Sequence, residues 1–293
     1  MSNETLRIAL PRKGRIAENI APVCKEAGYS WSSADQDKLF AKISDNIEVM
    51  FVRTTDVPRV VADGIVDIGI TGSDLVEESL SEVDIIEKLD LFHCRLVLAA
   101  PKELAESFEE KKKSKINIAT SFPRLANLWA EQAGVDMHLV PLSGSVEIAP
   151  RIGIADAIID LTQTGSSLRS NGLVEIETIR EVSPCVVSSK EFDIESVSQV
   201  SEQARTFIGA LVAVLNARGK RYMMMNVPKD VIDKVQEVVP GLSAPTVLDL
   251  YHDSDIVAVH VVVETKVIND VIPKLKALGV TGILVTPIER LIP

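Results

Sequence analysis

The run from Ala155 to Leu168, Ala-Asp-Ala-Ile-Ile-Asp-Leu-Thr-Gln-Thr-Gly-Ser-Ser-Leu, carries an apolar strand into a carboxylate and then into hydroxyls grouped around a glycine. That combination suits a phosphate. Gly165 lets the backbone turn sharply and approach an anion, the amides entering a short helix point outward, and Thr164, Ser166 and Ser167 add hydroxyl donors. Asp160, at the carboxyl end of the strand, suits a sugar hydroxyl. A strand-to-helix turn capped by Thr164 or Ser166 gives the same local pattern, so the rest of the chain has to discriminate.

Net charge is −11, from 31 Lys and Arg against 42 Asp and Glu, which leaves no broad cationic surface for nucleic acid. Any phosphate must be held locally, by amides, hydroxyls and a few cations. The 293 residues, 46% of them apolar, allow about two domains with separate cores. No charged segment followed by an apolar core opens the chain, and no apolar run approaches the roughly 20 residues that span a bilayer. A cytoplasmic protein without a membrane partner is expected. Cys24, Cys94 and Cys185 stand far apart without metal spacing and read as reduced core thiols. His93, His138, His252 and His260 form no pair at ligand spacing and read as packed or surface residues.

Short Val- and Ile-rich runs alternating with helical stripes predict parallel sheets covered by helices, an α/β body. Strands are expected at 6–10, 47–52, 66–70 and 94–100, with helices at 16–27 and 56–63. From Ile116 the pattern restarts. Strands are expected at 116–120, 135–142 and 156–161, with helices at 124–133 and near 146–151; strands at 174–179 and 185–188 then lead the chain back. The simplest account is two lobes whose carboxyl strand ends face one cleft: lobe I about 1–96 plus 182–200, lobe II about 97–181. A connecting helix is expected at 201–219, and residues 220–293 read as βαββαβ, a ferredoxin-like module.

Four segments, in this order and spacing, resemble the ATP phosphoribosyltransferase family of histidine biosynthesis: Leu10-Pro11-Arg12-Lys13-Gly14-Arg15, Asp67-Ile68-Gly69-Ile70-Thr71-Gly72-Ser73-Asp74, Leu142-Ser143-Gly144-Ser145-Val146-Glu147 with Pro150, and the Asp160 loop. Lys220-Arg221-Tyr222, Asn226-Val227-Pro228 and the run Pro240-Gly241-Leu242-Ser243-Ala244-Pro245-Thr246 resemble the regulatory domain of that family's long form. The resemblance implies a two-lobed, periplasmic-binding-protein-like catalytic body with a C-terminal ACT-like regulatory domain. It also implies transfer of the phosphoribosyl group of phosphoribosyl diphosphate to N1 of ATP with Mg²⁺, feedback inhibition by histidine, and a homohexamer with dimers in exchange.

By the same resemblance, Asp160, Thr162, Thr164, Gly165, Ser166, Ser167 and Leu168 bind the ribosyl donor. Lys13, Gly14, Arg15, Arg53, Gly72, Asp74, Ser143 and Glu147 face ATP or diphosphate, and Asn226, Leu242, Ser243, Thr246, Thr281 and Gly282 hold regulatory histidine. No metal ligand is assigned. Adenine N1 carries no proton, so the attack needs no general base; alignment and stabilisation of the departing diphosphate should carry catalysis. Duller roles stand beside these. Lys13 and Arg15 sit in a turn where solvated cations are common, Asp74 can cap a helix beginning at Leu75, Ser143 and Ser145 can cap too, and Glu147 suits a first helical turn. A cytosolic two-lobed sensor without catalysis is the competing reading, and a phosphoribosyltransferase for a free base ranks last.

Overall fold

Leu6–Pro11 (β1) is almost wholly buried and lies between two parallel neighbours, Ile47–Val52 (β3) and Ile68–Gly72 (β4). Its near-continuous apolar sequence is what a central parallel strand requires. The sheet is completed by Phe40–Ser44 (β2) on one edge and by Pro184–Ser189 (β11) and Val83–Lys88 (β5) on the other, in the order β2-β3-β1-β4-β11-β5. Arg15–Glu26 (α1) follows β1, and Ser33–Asp37 (α2) opens with a reciprocal Ser32–Asp35 cap. Val57–Ala62 (α3) buries Val57 and Val61 against Ala9, Cys185 and Val187. Ser73–Ser79 (α4) leaves directly from the end of β4.

The computed structural model describes residues 5–239, 241, 245–251 and 253–292. Its second sheet has the order β10-β6-β9-β7-β8: Leu173–Val182, Cys94–Pro101, Ala157–Thr162, Ile116–Thr120 and Met137–Pro141. Both faces are covered. Leu96, Leu98 and Ile159 pack with Ile118 and Trp129 on one side, while Val97, Ala99 and Ile158 pack with Val146 and Leu168 on the other. The alternate side chains of each strand therefore enter different cores, which explains unbroken apolar runs. Lys102–Glu106 (α5), Phe108–Lys111 (α6), Pro123–Ala133 (α7) and Ser166–Ser170 (α8) belong to this lobe.

The chain enters the second sheet at Cys94 and leaves it at Val182, two residues that face each other in register. Cys94 lies two residues before the seam expected near 96, and Val182 lies at the one expected near 182. Strands β2 and β5 and helices α2, α5 and α6 carry no strong sequence signal, because edge strands and single-turn helices bury little. The strand expected at 135–142 is shorter, and the helix expected at 146–151 is a single 3₁₀ turn, Val146–Ile148.

Gln199–Ala217 (α9) stands where a connector is expected at 201–219, and the division into two units, Met1–Gly209 and Ala210–Pro293, falls inside it. The second unit holds Lys220–Pro228 (β12), Ile232–Val238 (α10), Thr246–Leu250 (β13), Asp253–Glu264 (β14), Ile268–Ala277 (α11) and Thr281–Pro287 (β15). All pairs in its sheet, ordered β13-β14-β12-β15, are antiparallel. Met223, Met225 and Val227 point to a core shared with Val235, Val271 and Leu275 on the helices, a ferredoxin-like packing. Among the described residues no helix is long and apolar enough to cross a membrane.

Candidate active site

Parallel strands place their following loops on one edge. Residues 12–15, 53–56 and 73–74 follow β1, β3 and β4, which ends at Gly72, and residues 142–145 and 163–165 follow β8 and β9. Both crossovers meet these edges: β6 begins opposite the end of β9 (Arg95 beside Thr162), and β11 begins opposite the end of β4 (Pro184 beside Gly72). The two carboxyl edges thus share a hinge, the position where α/β sheets bind ligands.

In lobe II, Gly165 adopts φ +71° at the N-terminus of α8, a conformation that disfavours any side chain, and the helix has no side-chain cap. Its N–H donates to the buried Thr162 hydroxyl at 3.0 Å, so Thr162 braces the loop from beneath. The Thr164 and Ser166 hydroxyls lie 3.0 Å apart on the exposed side, and the Ser167 hydroxyl donates to Glu147 Oε1 at 2.7 Å. Arg169, one turn on, donates from Nη1 to the Thr164 carbonyl at 3.0 Å and brings a guanidinium to the loop. A Cβ on Gly165 would stand 2.8 Å from that nitrogen.

Asp160 is partly buried beside this loop; its Oδ1 accepts the Leu161 N–H at 2.8 Å. Burial pushes its carboxyl up to about 6; the Leu161 bond opposes the rise and the neighbouring Glu147 charge adds to it. A carboxylate in that condition gains from a partner that donates hydrogen bonds or shares its charge, as a sugar diol or a cation does.

At the crossover a cavity of about 260 Å³ is lined by Arg15, Thr54, Gly72, Asp74, Phe92, Cys94 and Leu161, among others. Arg15 Nη1 donates to Cys94 Sγ at 2.9 Å, and its guanidinium lies 5.9 Å from the Phe92 ring centroid. Gly72 is needed for close approach, since a Cβ there would collide with the Asp74 carboxylate. Asp74 is only 5% exposed, and burial pushes its carboxyl up to about 6, helped by Glu77 and Glu78. Burial alone pushes the Cys24 thiol up to about 12 and does most of the same for Cys185, which keeps both protonated in the core.

The raised Asp74 value has a measurable consequence. Its native state holds the proton more tightly than the unfolded chain, so the cost of its charge develops between about pH 4 and pH 6 and is complete above. Asp74→Asn should therefore stabilise the protein by about 2–3 kcal/mol at pH 8 and by well under 1 kcal/mol near pH 4, as read from thermal unfolding at the two pH values.

The structure gathers Asp160, Thr164, Gly165, Ser166, Ser167 and Glu147 at one edge, and Arg15, Gly72 and Asp74 around the cavity that adjoins it through Leu161. Lys13, Gly14 and Arg53 are exposed on the first edge and Ser143 on the second. Two expected donor contacts change character. Leu168 is 3% exposed and anchors α8 in a core, which leaves only its backbone for a ligand; Thr162 directs its hydroxyl into the loop. Arg169, Phe92 and Cys94 join the site without a sequence motif; the one local signal is the four-residue spacing of Arg169 from Gly165.

In the second unit, Asn226 faces Thr281 across β12 and β15, and a Cβ on Gly282 would stand 3.0 Å from Asn226 Nδ2. Thr246 lies two strands away, beside His260, whose Nδ1 is 2.7 Å from the Tyr222 hydroxyl. Leu242 and Ser243 lie outside the described residues.

A family model described as ATP phosphoribosyltransferase matches residues 53–210, and one described as the HisG C-terminal domain matches 217–290. The ATP phosphoribosyltransferase of Gemmatimonas aurantiaca is 43% identical over 291 residues, 98% of this chain and 100% of that protein. That of Methanothermobacter thermautotrophicus is 42% identical over 98% of this chain and 99% of its own length. Among solved structures, the ATP phosphoribosyl transferase (HisG:HisZ) complex from Thermotoga maritima superposes with a TM-score of 0.60 at 27% identity, covering 71% of this chain and 98% of that one. The chain belongs to the ATP phosphoribosyltransferase family.

Proposed function

We propose that the crossover cleft of the N-terminal unit is the seat of the reaction this enzyme catalyses, transfer of the phosphoribosyl group of phosphoribosyl diphosphate to N1 of ATP at the first step of histidine biosynthesis. The observation that carries this placement is the Gly165 loop, with its hydroxyls and Arg169, sharing an edge with Asp160 and Glu147 and adjoining the Arg15 cavity. The loop would take the 5-phosphate, Asp160 the ribose hydroxyls, and Arg15, with Lys13 and Arg53, the diphosphate or triphosphate. Lobe II then fixes the sugar while lobe I meets the charged groups that leave or arrive. Attack by an unprotonated nitrogen requires alignment more than proton transfer. The competing sensor reading falls with membership of an enzyme family.

Among the described residues no group of three or more His, Cys, Asp or Glu is placed to hold a metal ion. One or two carboxylates beside a phosphate-rich substrate are what Mg²⁺ commonly uses, and Asp160 and Glu147 fit that pattern. When bound through the diphosphate, the ion would neutralise charge on the leaving group. A pathway enzyme fed by ATP would work in the cytoplasm.

For the second unit we infer histidine feedback, with Asn226, Thr281 and Gly282 as the adjacent part of the site, completed by a neighbouring copy within a hexamer that exchanges with dimers. The pure protein given ATP, phosphoribosyl diphosphate and Mg²⁺ should form phosphoribosyl-ATP. Millimolar histidine should lower turnover without competing with the ribosyl donor and should change the sedimenting mass. Unchanged rates with histidine would remove the regulatory claim; absent product would contradict the activity, and donor binding left intact in Gly165→Val would remove its placement in this cleft.

A further inference from the structure

α7 is a three-turn helix whose own sequence provides no cap. It starts at Pro123, has no acidic residue in its first turn, and its N-cap, Phe122, offers no side-chain bond. The helix start leaves backbone N–H groups that need acceptors. They are met from the other lobe: Glu78 Oε1 accepts the Arg124 N–H and Oε2 accepts the Leu125 N–H, each at 2.9 Å. A carboxylate at that end also interacts favourably with the helix dipole. Beside it, the Arg124 guanidinium bonds the Glu77 carbonyl, and Arg180 of β10 pairs with the Glu77 carboxylate at 3.4 Å.

Glu78 sits one turn beyond Asp74 on α4, so a single short helix carries both the cavity carboxylate and the grip on lobe II. The same helix is tied to the return crossover, where the Ser73 N–H donates to the Ser183 carbonyl at 3.0 Å and the Ser183 N–H donates to the Ser73 hydroxyl at 3.3 Å. The angle between the lobes is thus held at the hinge and at a second point away from it. We propose that Glu78 is a positioning residue for phosphoribosyl transfer, fixing lobe II against lobe I so that the donor loop and the Arg15 side of the cleft stand in register. This rests on the placement of the reaction in that cleft.

Because the Gly165 loop lies wholly within lobe II, loss of the clamp should spare binding of the donor and damage the step that needs both lobes. Glu78→Ala is expected to lower kcat about tenfold, with Kd for phosphoribosyl diphosphate by calorimetry within about twofold of the parent. Glu78→Gln, which keeps one acceptor oxygen, should fall about two- to fivefold and decides the matter alone if the alanine variant does not fold. Turnover unchanged in the glutamine variant, or a fall in kcat matched by an equal loss of donor affinity, would overturn the proposal. Gly165→Val measured in parallel separates the two readings. If it leaves donor binding intact, the cleft assignment is what fails.

Discussion

Replacing Gly165 by Val is expected to cut kcat/KM for phosphoribosyl diphosphate by about a hundredfold or more while lowering Tm by only a few degrees. The backbone at φ +71° disfavours a β-branched residue, and the added Cβ would press on Arg169. Relief requires the loop to flatten or Arg169 to leave, and either change spoils the arrangement of amides, hydroxyls and cation in which a phosphate would sit. The core beneath is less affected, because Leu168 and Thr162 keep their buried places. Steady-state kinetics with varied donor, set beside a melting curve, measures both halves. Donor kinetics like the parent's would contradict the role of this loop.

Arg15→Ala should lower kcat by about 10²–10³-fold with a small effect on stability. The side chain starts in the first turn of α1 and ends between Cys94 and Phe92 at the crossover, where it is a cation lining the cavity. In a protein of net charge −11, few groups there can stabilise a departing diphosphate. A lysine should restore only part of the loss, because an ammonium cannot reproduce the planar fork that contacts the sulfur, the ring and an anion together. Presteady-state turnover with both substrates saturating isolates the chemical step. A kcat within fivefold of the parent would assign the diphosphate to other residues.

What could be read from the sequence follows burial and local geometry. The strands β1 and β9 were legible because both faces of each sheet's centre are covered and the run is apolar but for one charged residue, Arg7 in β1 and Asp160 in β9. β2, with Phe40 56% exposed, and β5 were not, since edge strands look like loops in composition. The hydroxyl loop could be found because its glycine, its hydroxyls and the preceding aspartate are contiguous. Which hydroxyl faces outward could not, and Thr162 turns inward because the sharp turn at Gly165 aims an amide at it. Glu78 had no signature at all. Its partners are 46 and 47 residues away, and nothing local distinguishes it from Glu77 or Glu82.

The two crossovers at Cys94 and Val182 also set an order of assembly during synthesis. All five strands of the second sheet lie between those points, so that sheet is complete once Val182 has left the ribosome. The first sheet is not, because its interior strand β11 comes later, and until then β5 has no neighbour. Lobe II can therefore reach its native pairing while lobe I still waits for its last strand, although lobe I begins the polypeptide. Of the two lobes, the one translated first is the one finished last.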